Sequence, residues 1–161
     1  MAKSKRASRP RTQGLGIARI DLDPKRRAEL LDELRFMPDD DFATVSVVAS
    51  YMEVIKLAAN VKLFDEGSTS RHMSVIVEGE VRIQKNTFDE EIKVLATLNR
   101  GKVIGEMSVI DGEPRSATAV AAKPTTLMIL QQVAYDRLVE DRPDVAVRMI
   151  SKIAKSMSQR L

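Results

Sequence analysis

The sequence predicts a mainly β fold in which an antiparallel roll is flanked by helices. From Tyr51 to about residue 130, short apolar runs are separated by turn residues, whereas apolar residues at three- and four-residue spacing occur before and after this stretch. Several strands at such spacing, without long helices between them, favour an antiparallel roll or barrel. The chain has 161 residues, of which 43% are hydrophobic and 30% charged. That length and composition suit one folded domain with one core.

Two helices are predicted ahead of the strands. Asp23-Pro24 precedes apolar residues at mostly three- and four-residue spacings, which indicates an amphipathic helix with proline in its first turn and an end at Pro38. The residues that make this spacing are Ala28, Leu30, Leu31, Leu34 and Met37. Three aspartates at positions 39–41 then offer an acidic start for a second helix over residues 42 to about 50.

The predicted strands are bounded by turn residues. They cover residues 62–64, 75–77, 92–98, 116–122 and 125–130, and the turns between them contain glycine, proline or charged side chains. The clearest alternation places four apolar residues on one strand face, with polar residues on the other. Those four residues are Ile92, Val94, Ala96 and Leu98.

The chain ends in a predicted amphipathic helix. Asp141-Arg142-Pro143 is a helix start signal, and apolar residues then repeat at three- and four-residue intervals. These residues are Met149, Ile150, Ile153, Ala154, Met157 and Leu161. Periodicity does not reveal the partner of this stripe. It either packs on the roll or serves as a lid or a dimer seam.

Composition excludes several classes of chemistry. The absence of cysteine removes disulfides, thiol catalysis and thiolate metal sites, and a single histidine, His72, is too few for a usual zinc or non-haem iron centre. We therefore predict no metal, although an all-oxygen site remains open, and we assign His72 no role. The longest run near the front without charge or proline, residues 42–52, is shorter than the ~20 residues of a membrane-spanning helix. No secretory signal is evident, so we expect a cytoplasmic protein.

The first twenty residues have a charge pattern of their own. They contain six Lys or Arg residues and no acid, interleaved with Ser, Pro and Gly. Such a segment lacks the apolar face needed to fold alone, so residues 1–20 are predicted to be a flexible basic tail and residues 21–161 the domain. The tail either aids solubility or contacts polyanions.

Residues 105–119 carry the candidate chemistry. Gly105 permits close backbone approach, and the residues after it can form a helical turn whose free N–H groups face an anion. Arg115 follows Glu106 after a loop that contains Gly112 and Pro114, so the chain can fold back. A guanidinium and backbone donors can then hold one phosphate from two sides.

A carboxylate beside an anion site needs a neutral donor to bind. Glu106 is therefore predicted to accept from a sugar hydroxyl, which points to a nucleotide that carries both a phosphate and a ribose. The small residues Ser116, Ala117 and Ala119 leave room for the ligand, and the Ser116 hydroxyl can bond to phosphate or base.

This stretch resembles the cyclic-nucleotide-binding domain family, which includes catabolite-activator-type bacterial regulators, cyclic-nucleotide-dependent kinases and gated channels. The shared pattern is the phosphate-binding cassette: Gly-Glu-(apolar)-(small)-(apolar), a short loop, then Pro-Arg-(Ser, Thr or Ala)-Ala. The resemblance extends upstream to residues 63–67 and 75–81 and covers about residues 24–161. Mild departures are Met107 and Ser108, where the family more often has Leu or Ile and Ala, and Asn60, near a frequent Gly.

The resemblance implies an eight-stranded antiparallel β-roll, similar to a jelly roll, with N-terminal helices and a C-terminal lid or dimer helix. It implies that Glu106 binds the ribose 2′-hydroxyl and Arg115 the cyclic phosphate, with no turnover of the nucleotide. The ligand-binding residues that it assigns are Gly105, Glu106, Met107, Ser108, Pro114, Arg115, Ser116 and Ala117. Candidate lid contacts, chosen by helical position, are Met149, Lys152, Ile153 and Ser156.

The resemblance also bears on how the protein is expected to transmit a signal after it binds its ligand. In the bacterial regulators the last helix forms a dimer seam and leads into a helix-turn-helix, whereas this chain ends at Leu161. We therefore expect a signalling sensor that acts through a protein partner or a homodimer, with nucleic acid reached only through the basic tail.

The ligand and the rival functions follow from the same residues. A hydroxyl at the position of Ser116 occurs in both cAMP and cGMP receptors of the family, and we favour cAMP; cyclic dinucleotides remain open. No cofactor is expected beyond this ligand. An enzyme of the cupin type would need a histidine-rich metal site, so we expect no enzyme activity. The alternative function is a ligand-free interaction or dimerisation module with the same fold.

Overall fold

The computed structural model describes residues 16–160. In chain order its elements are β1 (Ile17–Ile20), α1 (Pro24–Glu33), α2 (Phe42–Ser50), β2 (Glu53–Leu57), β3 (Lys62–Phe64), β4 (His72–Glu78), β5 (Glu80–Asn86), β6 (Ile92–Asn99), β7 (Val103–Ile104), α3 (Glu106–Asp111), β8 (Thr118–Ala121), β9 (Thr125–Gln131), α4 (Gln132–Asp141) and α5 (Pro143–Ser158). Strands fill the middle of the chain and helices lie on both sides of them, as the sequence predicts.

The strands form two antiparallel sheets. One has five strands in the order β1-β2-β9-β4-β7, and the other has four in the order β3-β8-β5-β6. All the strand pairs are antiparallel. The predicted mainly β fold with flanking helices is therefore confirmed. The described part of the chain contains nine strands rather than the eight that the resemblance implies.

The predicted boundary of the basic tail at residue 20 needs correction. Residues 17–20 form β1, which pairs with β2 from Ile17 opposite Leu57 to Ile20 opposite Val54. Ile17 and Ile20 pack against the two hydrophobic clusters of the domain, and this burial offsets the polar composition around them. The domain thus begins by residue 17. The rest of the predicted tail, residues 1–15, lies outside the described residues.

The two N-terminal helices have the aspartate caps that the sequence predicts. Asp23 Oδ1 accepts from a backbone N–H of the first turn of α1 at 2.9 Å, and Asp41 Oδ1 does the same for α2 at 2.8 Å. However, α1 ends before Pro38, because Arg35 adopts a left-handed conformation with φ of 53°. Met37 is buried as expected, but it lies beyond the helix.

A second helix precedes the predicted C-terminal helix. α4 directly follows β9 and buries Ala134 and Leu138, which lie four residues apart on one helix face. Arg142 lies between α4 and α5, and its backbone N–H donates to Leu138 O at the end of α4. The start signal at residues 141–143 therefore marks a junction between two helices.

The apolar alternation predicted along β6 does not lie on one face. Ile83 of β5 pairs with Ala96, but the next residue of β5 pairs with Val94, so Leu95 is an extra residue in β6. Such a bulge reverses the face to which every later side chain points. Leu98 is consequently half-buried, whereas Val94 and Ile92 are exposed.

The five-stranded sheet separates two hydrophobic clusters. The first contains the apolar faces of the helices, and it includes Met128 and Leu130 of β9. The second includes Leu127 and Ile129 of the same strand, together with side chains of the four-stranded sheet. Successive residues of a strand point to opposite faces, so β9 is buried on both sides.

No helix within residues 16–160 is long and apolar enough to cross a bilayer. Among these residues, no three or more His, Asp or Glu side chains are grouped as a metal ion would require.

Candidate functional site

A cavity of about 230 Å³ opens where α3 and the loop after it meet β5, β6 and β7. All eight residues that the resemblance assigns to ligand binding line this cavity. They are Gly105, Glu106, Met107, Ser108, Pro114, Arg115, Ser116 and Ala117. Among them Met107, Pro114 and Ser116 are exposed at the cavity, whereas the side chains of Glu106 and Arg115 are buried. The roles of the eight residues toward a ligand remain predictions.

Gly105 is required by both its conformation and its surroundings. It precedes α3 with a φ of 74°, which L side chains rarely adopt. A Cβ at this position would lie 2.5 Å from Arg115 Nη1 and 3.1 Å from the carbonyl oxygen of His72. The carbonyl oxygen of Gly105 accepts from Arg115 Nη1 at 2.9 Å and from Ser108 Oγ at 3.1 Å. Any side chain here would push the guanidinium out of place.

The short helix α3 brings backbone donors to the cavity. Its first-turn N–H groups, those of Glu106, Met107 and Ser108, have no acceptor within the helix by geometry. The helix ends at Gly112, which has a φ of 72° and donates its N–H to Ser108 O at 3.2 Å. The turn predicted from the sequence therefore forms, with its free N–H groups beside the cavity.

Arg115 is held in place by the strands and loops around it. Its Nη1 donates to Gly105 O at 2.9 Å, its Nη2 to His72 O at 2.8 Å and its Nε to Ser70 Oγ at 3.4 Å. The guanidinium carbon lies 3.9 Å from the ring centroid of Phe64. Three of the five guanidinium N–H donors are thus used within the described residues. The other two remain for a ligand.

Within residues 16–160, Arg115 forms no ion pair. Burial lowers the pKa of Arg115 to about 10, and the carboxylate of Glu106 opposes that change. Arg115 therefore stays a cation at neutral pH. Burial, together with the positive charge of Arg115, lowers the pKa of His72 to about 4, so His72 is neutral beside it. A dehydrated cation with spare donors favours the binding of an anion.

Glu106 pairs with a residue that the sequence does not indicate. Its side chain is 8% exposed, and its Oε1 accepts from Arg160 Nη1 at 3.0 Å. Arg160 also lies 3.5 Å from Val103 O and lines the cavity. The contact of Arg160 with Glu106 depends on where the residues after α5 lie in space. No spacing pattern in the sequence predicts that contact. Within residues 16–160, Glu106 Oε2 makes no hydrogen bond.

An apolar wall completes the cavity. It is made by the side chains of Phe64, Ile83, Leu98, Val103 and Ile104. The sequence predicts only Phe64 and Leu98 to lie on strands, and it assigns none of the five to a site. No local pattern identifies them as neighbours of Arg115, because they come from β3, β5, β6 and β7 and meet only in the folded domain. A wall of this kind suits the apolar face of a ligand that carries its charge at the other end.

The four candidate lid residues do not line this cavity. Met149 and Ile153 are buried in the first hydrophobic cluster, 0% and 3% exposed. Lys152 forms an ion pair with Asp39, and Ser156 lines a second cavity. Helical position alone had selected the face of α5 that packs on the domain. That these four residues cover a bound ligand stays a prediction.

Comparison with known proteins identifies the family of this chain. The family model described as the cyclic nucleotide-binding domain matches residues 54–142, which include α3 and Arg115. This chain belongs to the cyclic nucleotide-binding domain family. The resemblance predicted from residues 105–119 is confirmed.

The relatives that match include a bacterial regulator and a fungal enzyme. The Cyclic AMP receptor protein of Thermus thermophilus is 28% identical over 115 residues, which are 71% of this chain and 53% of that protein. Lysophospholipase NTE1 of Chaetomium globosum is 27% identical over 106 residues, 66% of this chain and 7% of that protein. This cyclic nucleotide-binding domain thus spans about half of the first relative and a small part of the second.

A solved structure shares most of the fold. A cyclic nucleotide-binding domain from Methylobacillus flagellatus superposes with a TM-score of 0.80 at 27% sequence identity. The match covers 92% of this chain and 86% of the other.

Proposed function

We propose that this domain binds a cyclic mononucleotide, cAMP in preference to cGMP, and acts as a non-catalytic signalling sensor. The observation that carries the proposal is the buried guanidinium of Arg115, which keeps two free N–H donors at a cavity that also receives the free backbone donors of α3. The preference for cAMP is supported by the name of the bacterial relative, Cyclic AMP receptor protein.

Arg115 is suited to the singly charged phosphate of a cyclic nucleotide. Three contacts fix the orientation of the guanidinium before a ligand arrives, so little side-chain entropy is lost on binding. The remaining two N–H groups can bind two phosphate oxygens in a charge-assisted pair. The donors of residues 106–108 then bind the same group from the other side.

Glu106 is suited to a ribose hydroxyl. One of its oxygens is taken by Arg160, and Oε2 is left to accept from a neutral donor. A phosphate would be repelled by this carboxylate, so the carboxylate sets the direction in which a nucleotide enters the cavity. The apolar wall of Ile83, Leu98 and Val103 receives the rest of the ligand.

We further propose that α5 reports the ligand through Arg160. This residue follows α5 and contacts the carboxylate that would bind ribose, so a ligand at Glu106 changes the interactions that hold the end of the helix. The ligand then shifts an equilibrium between positions of α5 that exists without it. A protein partner or a second copy of the chain would read that shift.

The experiment that tests the binding proposal is calorimetric titration of the folded, nucleotide-free protein with cAMP, cGMP and cyclic di-GMP. We expect saturable binding of cAMP, with weaker binding of cGMP. If none of the three ligands binds, the proposal fails and the ligand-free interaction module takes its place. If cyclic di-GMP alone binds, the domain is a nucleotide sensor of another class.

A second titration tests the orientation of the ligand. Wild type should bind 2′-deoxy-cAMP about ten- to a hundredfold more weakly than cAMP, because a hydrogen bond to a charged acceptor contributes about 1.5–3 kcal/mol. Glu106→Ala should bind the two ligands with nearly equal affinity. Glu113→Gln is the matched control, because it removes a carboxylate that lines the same cavity. If Glu106→Ala discriminates as strongly as wild type does, the ribose assignment is wrong.

A further inference from the structure

A second cavity, of about 330 Å³, lies between the segment after α1 and the C-terminal half of α5. Its floor is apolar: Phe36, Val103 and Ile153 line it and are 7%, 8% and 3% exposed. Val103 also lines the first cavity. Three residues of the second cavity, Lys152, Ile153 and Ser156, are named above only as candidate lid contacts, and the family match ends at residue 142, before α5.

Three cations line the second cavity. Arg35 comes from the segment after α1, whereas Lys152 and Lys155 come from α5. Within residues 16–160, the side chains of Arg35 and Lys155 form no ion pair. The cavity therefore combines a buried apolar floor with a strongly basic rim, a pairing that a negatively charged organic ligand would match.

The chain places one of its own carboxylates among these cations. Asp39 forms an ion pair with Lys152, while the rest of its side chain is exposed. Lys152 by hydrogen bond and charge, and then Lys155 and Arg35 by charge, lower the pKa of Asp39. The group of four side chains keeps an excess of two positive charges, counted as three cations less one carboxylate. The exposed carboxylate of Asp39 is thus a weakly held group beside these cations, and an anion from solution can displace it.

The backbone at Arg35 has a conformation that is unusual for an arginine. Its φ of 53° places it in the left-handed region, where glycine or asparagine usually ends a helix. A residue with a long cationic side chain at this turn brings charge to the rim from the side opposite α5. A glycine or an asparagine would make the same turn without that charge.

We propose that the cavity bounded by Arg35, Lys152 and Lys155 is a second ligand site, which takes a phosphate-bearing anion of two or more negative charges in place of the Asp39 carboxylate. The guanidinium fork and the two ammonium groups are the side chains that bind phosphate oxygens. The excess of two charges matches a multivalent phosphate better than a single carboxylate. This proposal does not depend on what the first cavity binds.

Titration with inorganic pyrophosphate at constant ionic strength, followed by calorimetry, tests the site. We expect saturable binding that Arg35→Asn and Lys155→Gln each weaken about threefold or more, because each removes one charge-assisted contact. Asparagine tolerates the left-handed backbone, so the first variant keeps the turn. The matched controls are Arg137→Ala and Lys93→Gln, two exposed cations of α4 and β6. They should leave the affinity unchanged.

The displacement of Asp39 is tested separately. Asp39→Asn should bind pyrophosphate more tightly than wild type, because the internal competitor is gone, whereas Asp89→Asn, at another exposed aspartate, should not. The absence of binding would overturn the proposal. So would binding that the cavity variants weaken no more than the controls do, because the anion would then lie elsewhere, the first cavity included. Equal affinity for Asp39→Asn and wild type would overturn the displacement.

Discussion

Arg115 uses three of its N–H groups for contacts within the fold and leaves two for the proposed ligand. It donates to the carbonyl oxygens of Gly105 and His72, which come from separate parts of the chain, and it covers the ring of Phe64. Its side chain therefore joins α3 to β4 and β3. The same contacts orient the two donors that remain, so the proposed phosphate site needs no reorientation of Arg115.

Arg115→Ala is expected to weaken both the binding of cAMP and the fold. Binding should lose about 2–5 kcal/mol, because the phosphate would lose its buried cation. The free energy of unfolding should fall by about 1–3 kcal/mol, because two carbonyl oxygens lose their donor. Calorimetry measures the first effect and urea denaturation the second.

The matched control for Arg115→Ala is Arg71→Ala. Arg71 Nη2 donates to Gly112 O at 2.9 Å on the outer side of the same loop, and its side chain is exposed. This control should lose little stability and keep its affinity for cAMP. Normal affinity in a folded Arg115→Ala protein would refute the proposed phosphate site.

His72 should make the fold sensitive to acid. Its pKa is lowered to about 4 in the folded state, against an ordinary value of 6.5, by burial and by the charge of Arg115. Between these two values the unfolded chain takes up a proton that the folded protein does not. Stability is therefore full above pH 6.5 and falls as the pH drops to 4, by up to about 3 kcal/mol from this group.

The pH dependence can be isolated with His72→Phe, which keeps an aromatic ring against Phe64. The ring of Phe64 lies 5.9 Å from that of His72 in an edge-on arrangement. Urea denaturation of both proteins at pH 7 and pH 4.5 should show a smaller loss of stability in the variant. An equal loss in both would mean that carboxylates alone govern the acid response, and that His72 is not neutral in the fold.

Residue patterns predicted the polar half of the candidate site, and geometry supplied the other half. Gly105, Glu106 and Arg115 lie close in sequence, so their order and spacing already place them around one loop. Arg160 and Phe64 come from distant elements, and their distance from Glu106 and Arg115 depends on how the sheets and α5 pack. No local rule contains that information.

At the scale of elements, α5 contacts the rest of the domain along its length. Its apolar face packs in the first cluster, and its polar side chains Arg148 and Lys152 pair with Asp40 and Asp39 ahead of α2. Only past its end does the chain reach the candidate site, through Arg160. A ligand can therefore act on α5 from its end without unpacking its buried face.

Arg160→Ala is expected to loosen the end of α5 and to change the response to ligand. Hydrogen exchange of the amides of the last turn of α5 should become faster in the ligand-free protein, because the ion pair with Glu106 is lost. The affinity for cAMP should also change by about twofold or more, because Glu106 loses its only ionic partner among the described residues.

Arg148→Ala is the control for this prediction. It also removes an ion pair of α5, that of Arg148 Nη1 with Asp40 Oδ1 at 3.2 Å, but Arg148 does not line the first cavity. Its affinity for cAMP should equal that of wild type. If the two variants have the same cAMP affinity and exchange pattern, Arg160 does not link α5 to the site.

Elements were predicted from sequence where local signals agree with packing. α2 spans residues 42–50 as predicted, because Asp41 caps its first turn. The alternation of β6 was misjudged because the extra residue Leu95 reverses its faces, and a bulge depends on the partner strand. β1 was missed because pairing with β2 provides its stability, and its flanking sequence is typical of a tail.

At the scale of the whole molecule, the five-stranded sheet separates the two hydrophobic clusters, and the first cavity borders mainly the second, with Val103 of the first cluster also lining it. The first cluster, on one side of the sheet, joins the helices to β9 and β4, and the second lies between the two sheets. Phe64 and Ile104 belong to the second cluster and also line the first cavity. Damage to the two clusters should therefore have different consequences for binding.

Met128→Ala and Ile104→Ala test this division. Both residues are buried, 0% and 3% exposed, so each substitution should lower the free energy of unfolding by about 2–5 kcal/mol. Met128 lies in the first cluster, so its variant should keep wild-type affinity for cAMP at 10 °C, where the fold persists. Ile104 forms part of the cavity wall, so its variant should bind more weakly. Calorimetry at 10 °C measures the affinity for cAMP, and urea denaturation measures the free energy of unfolding. If the Met128 variant lost as much affinity as the Ile104 variant, the first cluster would also contribute to cAMP binding, against this prediction.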